Sequence, residues 1–97
     1  MFSVRFHPDA EQEFREAVLW YENQRTGLGS EFVLSIDESI ERIRKSPEAY
    51  PEIYGHVRKI VVRRFPFAVF YDTTSLELRV IAVFHSRRDP QRWKSRK

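Results

Sequence analysis

Apolar residues change their spacing several times along this chain, and each change predicts a new element. Phe2, Val4 and Phe6 alternate with Ser3 and Arg5. That period of two predicts a short strand with one buried face, suited to a sheet edge. Ala10, Phe14, Ala17, Val18 and Tyr21 then recur at helical spacing, with Leu19 and Trp20 widening the stripe, which predicts a helix to about Gln24. Pro8 suits a first helical position, His7 a cap or linker, and Asp9, Glu11 and Glu13 the positive end of the helix dipole. Gly27-Leu28-Gly29 breaks the pattern. Ser30 is the predicted cap of a second helix carried by Phe32, Val33, Ile36, Ile40 and Ile43 and stopped by Pro47. So short a connection makes the two an antiparallel hairpin. Asp37, Glu38 and Glu41 lie away from the isoleucines, and read as a solvated face rather than an acid–base cluster.

Prolines 47 and 51 and Gly55 make residues 46–55 an irregular segment, with Tyr50, Ile53 and Tyr54 available for packing. Val57 to Arg64 reads as a polar strand. Pro66 to Tyr71 and Leu78 to Phe84 are strands whose apolar runs lack alternation, which implies burial on both faces. Asp72-Thr73-Thr74-Ser75 joins them as a hairpin turn, because these side chains bond to nearby backbone. The hairpin belongs in the middle of the sheet. The predicted fold is α+β: an N-terminal strand, then an antiparallel helical hairpin on one face of a mostly antiparallel sheet of about four strands, then a basic C-terminal tail.

Charge adds a direction to this plan. Residues 1–56 hold six Lys or Arg against eleven Asp or Glu, and residues 57–97 hold eleven against three, so a half of net charge −5 precedes one of +8. A clustered positive field suits an anionic partner. Ninety-seven residues make one domain, 1–97, and the absence of cysteine excludes disulfides, thiolate zinc sites and a cysteine nucleophile. Neither a leader pattern nor an apolar run long enough to span a bilayer is evident, so the expected compartment is the cytoplasm, with no membrane partner. Gly27-Leu28-Gly29 lacks the third glycine and the preceding strand of a nucleotide-phosphate loop.

Several pieces in this order carry a resemblance. The helix with Trp20-Tyr21, the Gly27-Leu28-Gly29 break, the Ser46-Pro47 stop, Arg64-Phe65-Pro66-Phe67-Ala68-Val69-Phe70-Tyr71 and Val83-Phe84-His85-Ser86-Arg87-Arg88-Asp89-Pro90 together resemble the RelE/ParE toxins of type II toxin–antitoxin systems, over essentially the whole chain. The resemblance implies a growth-inhibiting, plasmid-stabilization type of toxin that needs no cofactor or metal. A cognate antitoxin segment would wrap it in a hetero-oligomer. The RelE-like branch cleaves messenger RNA in the ribosome, and the ParE-like branch inhibits DNA gyrase. The long helical hairpin resembles the ParE-like branch more, which makes an enzymatic activity the less favoured expectation.

Metal-free RNA cleavage needs a base for the 2′-hydroxyl, cations for the phosphorane and an acid for the leaving oxygen. His85 is the C-terminal side chain that titrates near neutrality and is the acid–base candidate, with Arg64 and Arg58 as cations. On one continuous strand residues 58 and 64 share a face and residue 63 lies on the other, so Arg63, Arg79 and Arg87 complete the set only in part. Otherwise His85 is structural and the arginines pair with acids. The alternative is a tail of Arg87, Arg88, Arg92 and Trp93 that docks on a target without chemistry, carried by a helical turn begun at Asp89-Pro90, with Trp93 serving equally well as a hydrophobic anchor. A third class is a harmless nucleic-acid-binding module.

Overall fold

The computed structural model describes residues 3–86 and 92–96. It contains β1 (Ser3–Phe6), α1 (Pro8–Gln24), α2 (Leu28–Lys45), β2 (Glu52–Tyr54), β3 (Val57–Val61), β4 (Phe67–Thr73) and β5 (Glu77–His85). Both helices lie against one face of a sheet ordered β1-β5-β4-β3-β2, in which β1 runs parallel to β5 and the other pairs are antiparallel. The α+β class, the edge position of β1 and the central hairpin agree with the sequence pattern. The sheet has five strands rather than about four, because Glu52–Tyr54 pairs with β3 inside the segment expected to be irregular.

Helix α1 begins as predicted, with the His7 ring accepting the Asp9 N–H at 3.1 Å and Pro8 in the first turn. The start of α2 differs from expectation. Gly27, at φ 90°, stands at its N-cap, and Ser30 lies inside the helix. Glu22 of α1 does the capping instead: its carboxylate accepts the N–H groups of Gly27 at 2.9 Å and Gly29 at 3.0 Å, which satisfies amides that begin a helix unpaired. The two helices touch so closely here that a Cβ on residue 29 would stand 2.8 Å from the Val18 carbonyl oxygen.

Phe32 is the centre of the helix-face core. It is fully buried, and its ring lies 5.1 Å from Tyr21, 5.1 Å from Phe65 and 5.0 Å from Phe67. Rings at these separations add roughly 0.5–1.5 kcal/mol per pair to the area they bury. Ile36, Ile40 and Ile43 continue the stripe, as their spacing predicts. Leu19 and Trp20 do not, being 65% and 57% exposed. The buried face of α1 is the narrower one of Ala10, Phe14, Ala17, Val18 and Tyr21.

A second, smaller cluster occupies the face of the sheet away from the helices. Ala68, Phe70, Ile81, Ala82 and Phe84 are buried there beneath Trp93. This explains the unalternating sequence of β4 and β5, since the helices cover one face and residues 92–96 part of the other. Thr74 closes the hairpin, its hydroxyl accepting the N–H groups of Leu76 and Glu77. Tyr71 ties the 46–51 segment to the sheet by donating its hydroxyl to the Pro47 carbonyl at 2.8 Å, and burial pushes its phenol up to about 12.

Candidate functional site

Phe67 and Phe84 mark the two sides of the sheet on which the predicted site residues fall. On the helix side, β1 stops pairing at Phe6, opposite Val80, and Pro8 turns the chain away into α1. The remainder of β5 and the second half of α1 then border a groove of about 660 Å³. Ala17, Trp20, Tyr21, Pro66, Phe67 and Val83 give it apolar walls, and Glu13, Glu16 and His85 add polar groups. The His85 ring stacks edge-on with Phe67, 5.7 Å between centroids, which matches their cross-strand pairing.

Neither arginine proposed as its partner reaches His85. Arg58 pairs with Tyr71, whereas His85 pairs with Phe67, four residues earlier on β4, so the two are offset by roughly 13 Å along the strand direction, at about 3.3 Å per residue, on opposite sides of β4. The Arg58 guanidinium donates to the carbonyls of Glu48 and Tyr50, where it pins the irregular segment. Arg64 lies at the His85 end of the sheet but not on β3, which ends at Val61. It occupies the following loop at φ 72°, so the expectation that residues 58 and 64 share a strand face does not hold. Its guanidinium meets Glu31 at 2.6 Å, and Glu31 also binds Arg25 at 3.1 Å. Those hydrogen bonds, from Arg64 first and then Arg25, hold the Glu31 carboxyl below its ordinary value. Arg63 pairs with Glu38, and Arg79 grips Asp72 through two bonds of 2.8 and 2.6 Å. Among the described residues, Arg58, Arg63, Arg64 and Arg79 are thus scaffolding held by carbonyls or acids more than a converging cation cluster.

On the opposite side, Trp93 is 1% exposed, with its ring 4.8 Å from Phe70 and 6.0 Å from Tyr54. It packs as the hydrophobic anchor of the tail, the second of the two roles that its sequence allowed. Around it stand exposed Arg92, Lys94 over the Tyr54 ring at 4.8 Å, and Lys59 over Phe70 at 5.9 Å. These form a basic, aromatic-backed surface. Arg87, Arg88 and the turn expected at Asp89-Pro90 lie outside the described residues. Among the described residues no group of three or more His, Cys, Asp or Glu is placed to hold a metal, and no helix is long and apolar enough to cross a membrane.

A family model described as "ParE toxin of type II toxin-antitoxin system, parDE" matches residues 4–90. The chain belongs to the ParE toxin family. Toxin ParE2 of Mycobacterium tuberculosis, from strains CDC 1551 / Oshkosh and H37Rv, is 28% identical over 88 residues, which cover 90% of this chain and 84% of that toxin. A chain of the chromosomal ParDE TA system from P. aeruginosa superposes with a TM-score of 0.63 at 13% identity, covering 88% of this chain and 96% of that one, and so shares the fold.

One pair at the junction of this toxin's two sides escaped sequence reasoning. Glu13 and Arg96 are 83 residues apart, and meet at 2.6 Å with side chains only 12% and 10% exposed. Glu13 reads as one more acid in a first turn and Arg96 as one more tail cation. Nothing in their spacing signals the pair.

Proposed function

We propose that this ParE-family toxin arrests growth by binding DNA gyrase, without catalysing a reaction, and that a cognate antitoxin neutralises it by covering the groove between α1 and β5. One observation carries the non-enzymatic reading: the acid–base candidate and the two cations assigned to it, Arg58 and Arg64, are dispersed. His85 lines the groove, Arg58 is engaged by carbonyls roughly 13 Å along the sheet, and Arg64 is held by Glu31. The basic surface of Lys59, Arg92 and Lys94 supports target binding, with Trp93 as the residue that positions it. Gyrase as the target rests on the ParE branch of the family, and the antitoxin partner on the ParDE system from which the superposed structure comes. The exposed Trp20 at the groove rim supports a protein partner there, as a large apolar side chain gains from being covered.

Supercoiling by purified gyrase tests the reading directly. The toxin inhibits it, His85→Ala inhibits equally, and the pair Arg92→Glu with Lys94→Glu inhibits weakly while keeping its melting temperature. Full supercoiling in the presence of folded toxin, together with new 5′ ends on ribosome-bound messages that vanish in His85→Ala, would instead establish the messenger-RNA endoribonuclease. Harmless expression of a folded protein would leave the nucleic-acid-binding module.

A further inference from the structure

Beyond Val80, no strand among the described residues pairs with β5 on the β1 flank, yet polar groups of Ile81 and Val83 are paired there. The Val83 N–H donates to Glu13 Oε1 at 3.1 Å, and the Ile81 carbonyl accepts from Arg96 Nη1 at 3.0 Å. The same Arg96 nitrogen reaches Glu13 Oε1 at 3.0 Å, while Nη2 reaches Oε2 at 2.6 Å. The guanidinium lies 5.3 Å over the Phe84 ring, so the tail passes from the far face of the sheet around its edge to α1. An acid from one element and a base from another thus substitute for the missing neighbour strand.

The substitution is imperfect. Arg96 Nε is buried and makes no hydrogen bond, its nearest acid being Asp9 Oδ2 at 3.7 Å. A buried donor without a partner lowers the stability of the arrangement that holds it. Glu13 is nearly enclosed, so whatever displaces Arg96 must bring a positive charge or leave a buried carboxylate alone. Glu13 also lines the apolar groove, with Glu16 on the same wall. A strand edge held by side chains at Ile81 and Val83, an apolar trough and acids at its end together specify an extended peptide with apolar side chains and one basic residue.

We infer that Arg96 is an internal stand-in for an arginine or lysine of the antitoxin, whose extended segment pairs with β5 along Ile81–Val83 and delivers that residue to Glu13. The inference rests on the reading that an antitoxin occupies the groove. It adds a specificity-determining residue, Glu13, and a competitor, Arg96, which the antitoxin must evict.

The test is titration calorimetry with the full-length antitoxin encoded beside this chain, and with variants replacing each of its Arg and Lys residues by Gln. Arg96→Gln removes the competitor, and antitoxin affinity rises several-fold. Glu13→Gln lowers it on the order of tenfold or more, the scale for truncating one side of a buried interfacial ion pair. One antitoxin Arg or Lys→Gln variant loses the same factor against unaltered toxin and almost nothing against Glu13→Gln, which identifies the pair by a double-mutant cycle. Amide exchange at Val83 guards against misfolding: it quickens in free Arg96→Gln and is suppressed again in the complex, while exchange in the helix-face core stays slow. Normal binding with every antitoxin variant additive to Glu13→Gln, or no gain from Arg96→Gln, would overturn this inference and leave the antitoxin reading intact. No binding to unaltered, folded toxin would overturn both.

Discussion

The carboxylate of Glu22, near the end of α1, receives the backbone N–H of Gly29 at 3.0 Å and so joins the two helices at their closest approach. The contact requires a residue without a side chain at 29 and an acceptor at 22. Glu22→Ala should cost about 1–2 kcal/mol, the range for losing a helix cap. Gly29→Ala should cost more than Glu22→Ala, because its Cβ would meet backbone oxygen at 2.8 Å and the helices must separate to admit it. Urea denaturation of both variants checks the order.

Burial of Trp93 changes how truncations of the tail should be interpreted. Trp93→Ala should lose about 3–5 kcal/mol, the range for emptying a large aromatic site, whereas Arg92→Ala should stay within about 0.5 kcal/mol. A chain cut before residue 93 therefore forfeits core packing as well as charge. Thermal melts of the two point variants separate these contributions before any growth assay is scored.

Stability at alkaline pH should carry the signature of Tyr71. Its phenol is raised in the folded protein to about 12 from an ordinary value near 10, chiefly by burial. A raised folded value favours the protonated form on folding. The contribution is complete below pH ~10 and disappears as pH climbs through about 12. Tyr71→Phe should be less stable at neutral pH by about 1 kcal/mol, for the lost bond to Pro47, and should lose less stability between those limits. Melting temperatures across that range give the difference.

Arg64 combines a left-handed backbone with an ion pair. Glycine adopts φ 72° without the roughly 1–2 kcal/mol cost borne by other residues, and an exposed pair contributes little, so Arg64→Gly should leave stability close to that of the parent. Arg64→Val keeps the backbone cost and should be clearly destabilising. In both variants the Glu31 carboxyl should titrate higher than in the parent, since its principal hydrogen-bond donor is gone. Glu31 is depressed on folding, so its contribution is present above its unfolded value and lost as pH falls through the folded one. The acid limb of the stability profile should flatten accordingly. Carboxyl NMR titration measures the first effect and acid denaturation the second.

Periodicity revealed the helices, the hairpin and the burial of β4 and β5, because each rests on local spacing or on a turn residue such as Thr74. The fifth strand was hidden because Glu52–Tyr54 has three residues, all exposed, beside two prolines. Such a segment pairs only because β3 is already in place. Ser30 has the chemistry of a cap, and lost the role to Glu22, a residue supplied by tertiary contact. Arg58 and Arg64 looked equivalent on an assumed continuous strand. The turn of the chain after Val61 separated them, and no residue type between 61 and 64 announces a left-handed arginine. His85 was placed correctly at the end of β5, but its groove is made by α1, 64 to 72 residues earlier in sequence.

The position of β5 also bears on how this protein is made. It lies between β1 and β4, so β1, whose partner among the described strands is β5, can pair only after the ribosome has passed residue 77, to which Ser3 is matched. Closing a loop of that span is slow compared with forming the helical hairpin, whose contacts are local. A nascent chain interrupted before β5 lacks the strand that joins β1 to β4 and one wall of the groove. The first strand and the β4 hairpin thus become parts of one sheet only after synthesis has passed its middle.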